Sequence, residues 1–492
     1  MMLHFPLCLT RSTSVSNTWP QAKILSPRLL RDLVKLLANT ASMLIAVAFA
    51  CVISACSGTT SALTPSPLAN SAAQPLQVRR AATLGWQQAL WSDSFVSSIG
   101  VNTHFSYTGS LYDSTRAETS LKNLGIRYIR DDGPNSTQSG HFAHLTAYGI
   151  HFDIIWPISA YVPPVANWAP TPDAYATQIG LSNIASYEGT NESNAGCTNN
   201  ASWVSETKAQ QSALFTYMQA NGLESIPLLA PSYGACNGLA NMIGDATAMG
   251  SLTTYANDGN LHSYPGTNHY PEAGCLTSAQ SANCSGSYWL QASNIENPNQ
   301  PVMVTETGYE SQNGGCQWNA GTVGQERYDL RELLNNWNNG IAKTYLFELL
   351  DVHSIDGCYL GLVNDSYSAK PAYTAIQNLI ATLADQGSTF SAGAMQYALG
   401  GSLTNVNNFL LQKHTGIFEL VIWQAVPSIN SSGSPLTIKP QTITLTFPSA
   451  PVSVTAQTFT NTGSLASVKV TTKTAVSSLS VTDIPTIVTI NL

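Results

Sequence analysis

A (β/α)8 barrel followed by a small all-β sandwich is the architecture the sequence predicts, and three observations predict it. From about residue 86 to 385, short apolar runs alternate with helix-like segments, the pattern of parallel strands joined by crossover helices. Eight such units fit that span, which is the size and rhythm of an eightfold barrel. After about residue 388 the helical periodicity vanishes, and short alternating strands separated by turn residues take over. A doubly wound sheet is the rival, but no glycine-rich phosphate loop follows an early strand.

The chain has 492 residues and opens on a segment that does not read as fold. Arg28, Arg31 and Lys35 precede an apolar run, 43–53, that is short for a transmembrane helix and fits the core of a signal peptide. Residues 53–56, Ile-Ser-Ala-Cys, resemble a bacterial lipobox, which would make Cys56 a lipid-anchored first residue. An ordinary secretory cut nearby is the other reading. The boundaries read as signal peptide 1–56, Ser/Thr/Pro-rich linker 57–85, barrel 86–387 and sandwich 388–492, with residues 75–95 able to complete the sandwich. Either reading of Cys56 sends the chain out of the cytoplasm, to the extracellular space or the cell-envelope surface.

Composition agrees with export. Only 10% of residues are charged, against about 25% in an ordinary soluble domain. Uncharged polar groups need no particular protonation state, which suits an extracellular and acidic setting. The formal net charge of -8 and the lack of a basic patch argue against nucleic acid as a partner. Six cysteines remain after position 56: Cys197, Cys236, Cys275, Cys284, Cys316 and Cys358. They can form up to three disulfides, and sequence does not choose among the pairings. Cys275 with Cys284 closes the shortest loop. A zinc cluster competes, but the spacings do not fit a compact site.

In chain order, the eight strands are expected at 98–104, 126–132, 152–156, 187–192, 225–230, 261–264, 302–306 and 343–349. Helices are expected at 115–124, where Gly125 is the stop, at 205–221 and at 324–337. Sandwich strands are expected near 395–399, 408–412, 418–423, 441–447, 452–456, 467–470 and 476–481. Trp423 is either a sugar platform or core, and a strand aromatic is more often core.

Barrel chemistry sits at the C-terminal ends of the strands. Cleaving a glycosidic bond with retention needs two carboxyl groups there, about 5–5.5 Å apart, one to protonate the leaving oxygen and one to attack carbon. Glu192, after Gly189-Thr190-Asn191, ends the fourth unit, and Glu306 closes the run 302–305 of the seventh. Alone, each also fits a residue that caps the following helix.

The Asn191-Glu192 pair, the lone Glu306 within Thr-Glu-Thr-Gly, and His262-Ser-Tyr264 between them resemble the large clan of retaining (β/α)8 glycoside hydrolases. The resemblance covers about residues 95–385. The stretches 100–104 and 124–130, with the sandwich, resemble family 39 most, and families 30 and 5 after it. The resemblance implies that Glu192 is the acid/base and Glu306 the nucleophile. It also implies that Asn191 binds the sugar 2-hydroxyl, that Tyr264 bonds the nucleophile, that His104 lines the sugar pocket and that His262 stands beside it. Arg130, with Asp131 and Asp132 beside it, fits the clan's strand-two arginine and would keep Glu306 anionic. Glu192 would need a raised pKa to carry its proton. One position departs from the clan: strand eight often ends in a tryptophan under the sugar, and here the segment is Phe347-Glu348-Leu349-Leu350-Asp351. Glu348 or Asp351 would then make a polar contact with an unusual sugar. Trp156, Tyr161, Tyr233, Tyr270 and Trp318 lie near strand ends as candidate stacking platforms, Trp156 first among them.

An exported carbohydrate-cleaving enzyme that needs no cofactor and no metal, acting as a monomer or weak homo-oligomer, is therefore expected. Three rivals are a glycan-binding surface protein on a catalytically dead barrel, a structural lipoprotein and a metal-dependent hydrolase. The presence of both glutamates with His262 and Tyr264 argues against the first. Polar residues gathered at strand ends argue against the second. Histidines scattered at 104, 151, 262, 269 and 353, without a metal-binding spacing, argue against the third.

Overall fold

The computed structural model describes residues 83–134, 139–156, 170–234, 242–265, 269–273, 286–316, 319–352 and 357–492. The signal-like segment, Cys56, Tyr161, Cys236, Cys275, Cys284, Trp318 and His353 lie outside the described residues.

Two short strands, β1 (Gly85–Gln88) and β2 (Leu90–Trp91), come first, followed by helix α1 (Ser92–Val96). The barrel then runs β3 (Ile99–Asn102), α2 (Thr115–Leu124), β4 (Tyr128–Asp131), α3 (Ser139–Ala147), β5 (His151–Ile155), α4 (Pro172–Ile179), β6 (Ile184–Glu188). It continues α5 (Ala195–Thr198), α6 (Trp203–Ala220), β7 (Leu228–Leu229), α7 (Met242–Met249), β8 (Gly259–His262), α8 (Gly286–Glu296), β9 (Val302–Thr307), α9 (Gly321–Asn338), β10 (Lys343–Leu346) and α10 (Pro371–Leu383). The eight parallel strands pair in the order β7-β6-β5-β4-β3-β10-β9-β8. A parallel bridge between Leu229 and Asp258 brings the two ends of the sheet together. The (β/α)8 reading of the sequence is therefore the observed fold.

Local chemistry explains the elements. Ser114 caps α2 by accepting from the Arg116 amide at 3.2 Å, and Gly125 ends it in the left-handed region at φ 82°. Ala117, Leu121 and Leu124 then face the barrel. Pro371 opens α10, whose Ala372, Ile376, Leu379 and Leu383 form its buried stripe. Gly100 is required on β3, because a Cβ there would stand 2.3 Å from the ring of Tyr345, which lies over it.

The sandwich consists of β11 (Ala394–Gly401), β12 (Val406–Gln412), β13 (Phe418–Gln424), β14 (Gln441–Thr446), β15 (Ser453–Phe459), β16 (Leu465–Val468), β17 (Thr471–Lys473), β18 (Val476–Val481) and β19 (Thr486–Asn491). One sheet has the order β1-β11-β14-β18-β17 and the other β16-β15-β19-β13-β12-β2. Sequence patterning misses β17 and β19. The latter pairs with both β13 and β15, and its Ile487, Val488 and Ile490 are all buried, so it lacks the alternation of a half-exposed strand.

The six-stranded sheet is apolar on both faces. Leu420, Ile422 and Val488 face the other sheet, whereas Phe409, Leu411, Val421 and Trp423 pack with the barrel. Trp423 is thus core, and its indole N–H donates to Glu272 at 2.6 Å. Helix α9 lies between barrel and sandwich. Its Arg327 pairs with Asp483 at 2.9 Å, and its Arg331 donates to Ser428 at 3.0 Å and pairs with Glu272. A Cys316–Cys358 disulfide ties the segment after β9 to the segment after β10, and Cys197 is disulfide-bonded as well.

Candidate active site

The polar side chains at the C-terminal mouth of the barrel converge on Arg130 at the end of β4. Its guanidinium is buried and fully engaged. Nε and Nη2 donate to the two oxygens of Glu188 at 2.6 and 2.7 Å. Nη1 donates to Glu306 Oε1 at 2.6 Å and to Asn102 at 3.0 Å, and Nη2 also donates to Asn191 at 2.8 Å. One fixed cation therefore holds two carboxylates and two amide oxygens, a use that suits the planar fork of arginine.

Glu306 is aimed by an irregularity in β9. Against β8, the register moves from Leu261 opposite Val304 to His262 opposite Glu306, and against β10 it also slips near this point. An extra residue in a strand re-aims the side chains beside it. The second Glu306 oxygen accepts from the Tyr264 hydroxyl at 2.9 Å. Burial and the charge of Glu306 push the Tyr264 hydroxyl far above the usual phenol range, so it remains a donor.

Glu192 follows β6 in a left-handed backbone conformation, φ 46°, with its amide bonded to the Ser232 carbonyl at 3.1 Å. Gly234 makes room for it, since a Cβ there would stand 2.8 Å from the Glu192 carboxyl carbon. Glu192 Oε1 lies 2.8 Å from His262 Nδ1, and Glu306 Oε2 lies 3.5 Å from the same nitrogen. Glu192, His262 and Glu306 each present an atom within 4.8 Å of the others. Those atoms could ligate a cation, but Arg130 and Tyr264 already bond to the Glu306 oxygens, and a metal would have to sit beside a fixed positive charge. Glu310 also lies near Cys316 and Cys358, but those two sulfurs are joined to each other.

The electrostatics of this cluster run opposite to the raised Glu192 that the sequence leads one to expect. Burial pushes Glu192 up, but the His262 hydrogen bond and charge outweigh it, and the carboxyl is held below its ordinary value. Burial alone would lower His262, but the charge of Glu306 and the Glu192 bond outweigh it and raise the imidazole. These opposite directions favour a proton on His262 over one on Glu192.

His104 stacks on Tyr107 with centroids 4.6 Å apart, and its Nε2 lies 3.2 Å from Glu348 Oε2. Burial opposes the charge on His104, but Glu348 raises it to about 9. Glu348 is fully buried and also accepts from the Tyr112 hydroxyl at 3.1 Å. Glu348, expected to contact sugar directly, is instead buried beneath His104 and Tyr112. Asp351 is held by Lys370 at 2.7 Å, inside the fold. Half-buried Phe347 takes the strand-eight position where tryptophan was looked for, edge-on to His104.

Three further expectations are corrected. Asp131 is buried, and its Oδ2 accepts from the Thr103 hydroxyl at 2.7 Å and the Phe105 amide at 2.8 Å, so it pins the turn after β3. Trp156 is packed in the barrel core, edge-on to Tyr175, and presents no platform. Tyr233 lies in a separate core cluster with Trp203 and bonds Glu296. The residue that sequence reasoning overlooks is Glu188, the main partner of Arg130. A carboxylate inside the apolar strand that ends in Glu192 was the available signal.

No family model and no curated protein matches the sequence. Solved structures do match in fold. A family 39 glycoside hydrolase from the gut symbiont Bacteroides cellulosilyticus WH2 superposes with a TM-score of 0.51 at 14% identity, covering 82% of each chain. A family 51 arabinofuranosidase from Xanthomonas axonopodis pv. citri gives 0.53 at 11% identity, covering 83% of this chain and 100% of that one. A family 51 α-L-arabinofuranosidase from Bifidobacterium longum gives 0.52 at 10%, covering 83% and 98%. The likeness is one of fold: this chain has a (β/α)8 barrel with a β-sandwich that resembles several glycoside-hydrolase families, with none singled out.

Proposed function

We propose that the protein is a retaining glycoside hydrolase, with Glu306 as nucleophile and Glu192 as acid/base. The observation that carries this reading is the pair of carboxylates at the ends of β6 and β9 with oxygens within 4.8 Å. That separation fits direct attack, whereas an inverting pair, about 6.5–9.5 Å apart, leaves room for a water. The glycoside hydrolases that share the fold support the substrate class, and the Cys316–Cys358 disulfide supports an exported enzyme.

In the first step Glu306 Oε attacks the anomeric carbon as the bond to the leaving oxygen breaks, and that oxygen takes a proton from Glu192. The proton comes from the shared pair, passing from His262 Nδ1 to Glu192 across 2.8 Å. In the second step Glu192 removes a proton from water as it attacks the anomeric carbon, and the Glu306–carbon bond breaks. Arg130 stays bound to Glu188 throughout, so its position does not depend on the charge that Glu306 gains and loses. Asn191 is held by Arg130 and Ser232 through its oxygen, which leaves its amide nitrogen as a donor for a sugar hydroxyl.

The test is hydrolysis of a panel of aryl glycosides and polysaccharides, with the anomeric configuration of the first product read by proton NMR. Retention is expected, and first-formed product of inverted configuration would overturn the assignment of Glu306. A folded protein silent across the panel would favour a non-catalytic barrel that binds glycans.

A second outcome concerns His262. Its raised imidazole holds the pair's proton above pH 6.5, so the alkaline limb of kcat/KM should lie above that value. In His262→Asn the proton must rest on Glu192 itself. The alkaline limb should move down toward the carboxyl range, and kcat/KM at pH 7 should fall by roughly 100-fold. An unmoved limb would show that His262 only packs.

A further inference from the structure

The outer face of the five-stranded sheet carries a feature that the barrel chemistry leaves unused. Its inner face is sealed by Met395, Leu399, Ile443 and Leu445. On its outer face Trp86 is 67% exposed, on edge strand β1. Leu84, two residues earlier and on the same side, is 46% exposed, and Val476 on β18 is 38% exposed. Large apolar side chains are normally exposed singly. Here three share one face, and one of them is a tryptophan.

The register gives the rest of the face. Trp86 stands opposite Gln396 on β11. Thr446, Thr444 and Thr442 on β14 stand opposite Val476, Ser478 and Ser480 on β18. Rows of hydroxyls and amides thus repeat about every 6.8 Å along the strands. At the far end, Thr442 and Thr444 also line a groove of about 820 Å³, walled by Leu436, Ile438 and Pro440. Its Leu436 is another exposed apolar side chain, at 39%. The row of Thr444 lies about 13 Å along the strand direction from that of Trp86. Among the described residues, the ionisable groups on this face and groove are Lys473, on the opposite edge strand, and Lys439.

We infer that this face is a second binding surface, which takes one extended strand of an uncharged polysaccharide over Trp86 and along the threonine and serine rows toward the groove. The occupant follows from complementarity. An indole face matches the C–H face of a sugar ring, and hydroxyl and amide groups match sugar hydroxyls. Two lysines do not make the cationic patch that an acidic polymer or an anionic membrane would need. Rows of hydroxyls do not make the apolar centre of a subunit interface. The binding inference stands on this face; only the turnover control in its test rests on the proposed hydrolase reading.

The test is co-sedimentation of the full chain with microcrystalline cellulose, insoluble xylan, chitin and an insoluble β-1,3-glucan, in the Glu306→Gln background to prevent turnover. The same background is compared with added Trp86→Ala and Trp86→Tyr, alongside sedimentation velocity without polymer. Retention on at least one polymer is expected, weakened about tenfold or more by Trp86→Ala and largely kept by Trp86→Tyr. Thermal midpoints should be unchanged, because the side chain is exposed. Trp86→Ala in the otherwise native chain should leave hydrolysis of a small aryl glycoside unaltered. No retention on any of the four polymers would overturn the inference. So would retention indifferent to Trp86→Ala, or self-association lost in Trp86→Ala without retention, which would make the face a contact between copies.

Discussion

Glu306→Gln is expected to lower kcat/KM by at least about 10⁴-fold while the protein stays folded. The amide keeps one oxygen to accept from Arg130, and its NH2 can donate to the Tyr264 hydroxyl oxygen, so the cluster around Glu188, Arg130 and Asn102 remains assembled. What it loses is the proposed nucleophile. Glu192→Gln should behave differently in a way that separates the two roles. With a leaving group that needs no proton, such as dinitrophenolate, the first step survives and the second slows, so a burst of one equivalent should precede slow turnover. A burst from Glu306→Gln would reverse the assignment. Near-native turnover in it would remove the double-displacement mechanism altogether. If Glu306→Gln instead shifts the thermal midpoint by many degrees while residual activity persists, Glu306 is a structural partner of Arg130.

Those two glutamates were legible because strand ends in a barrel are fixed by apolar runs, and Glu192 and Glu306 stand at the ends of two of them. Arg130, His262 and Tyr264 were legible only through the resemblance to the glycoside-hydrolase clan. Which way a residue faces near a strand end was not. Trp156 and Tyr233 occupy similar positions in sequence, yet their side chains turn into apolar clusters. Glu348 follows β10 but is buried beneath His104 and Tyr112, a placement set by contacts 236 residues apart in sequence. Glu188 was hidden by its neighbours, because nothing local indicates that a carboxylate in an apolar strand has an arginine from the next but one strand to meet. Helix α9 is a similar case. Its Glu326, Arg327, Asp329, Arg331 and Glu332 are all buried, Arg327 and Arg331 bonded to the sandwich and Glu332 to Thr307 of β9, partners that no local pattern announces.

That burial leads to the second large effect. Burial first of all raises Asp131 and Asp258 to about 7 and Asp153, Glu296, Glu326 and Glu332 to about 8. Asp329 is pushed well above the carboxyl range by the same cause. Neither oxygen of Glu326 meets a hydrogen-bond partner among the described residues. These groups hold protons in the fold that the unfolded chain has released by about pH 5. The unfolded state then binds fewer protons, and stability falls as pH rises from about 4.5 through 8. The raised His104 and His262 act in the same direction above pH 6.5. Lys343, lowered by burial to about 7, opposes them only above that pH. Asp93, Asp173 and Asp385 are held low and contribute stability that is lost only below about pH 4.

The thermal midpoint should therefore peak near pH 4–5 and fall by roughly 5–10 °C toward pH 8, the shift that several kcal/mol of proton linkage produces in a chain of this size. Calorimetry across that range checks it. A midpoint that rises or stays level between pH 5 and 8 would mean that these carboxyls ionise without penalty. Glu326→Gln isolates one of them. The amide is neutral at every pH, so the variant should match the native protein at pH 4.5 and exceed it at pH 8. A chain with few charges and several acids that burial pushes up is expected to be most stable where carboxyls keep their protons, and on the proposed mechanism the same acidity keeps the Glu192–His262 pair loaded for its first step.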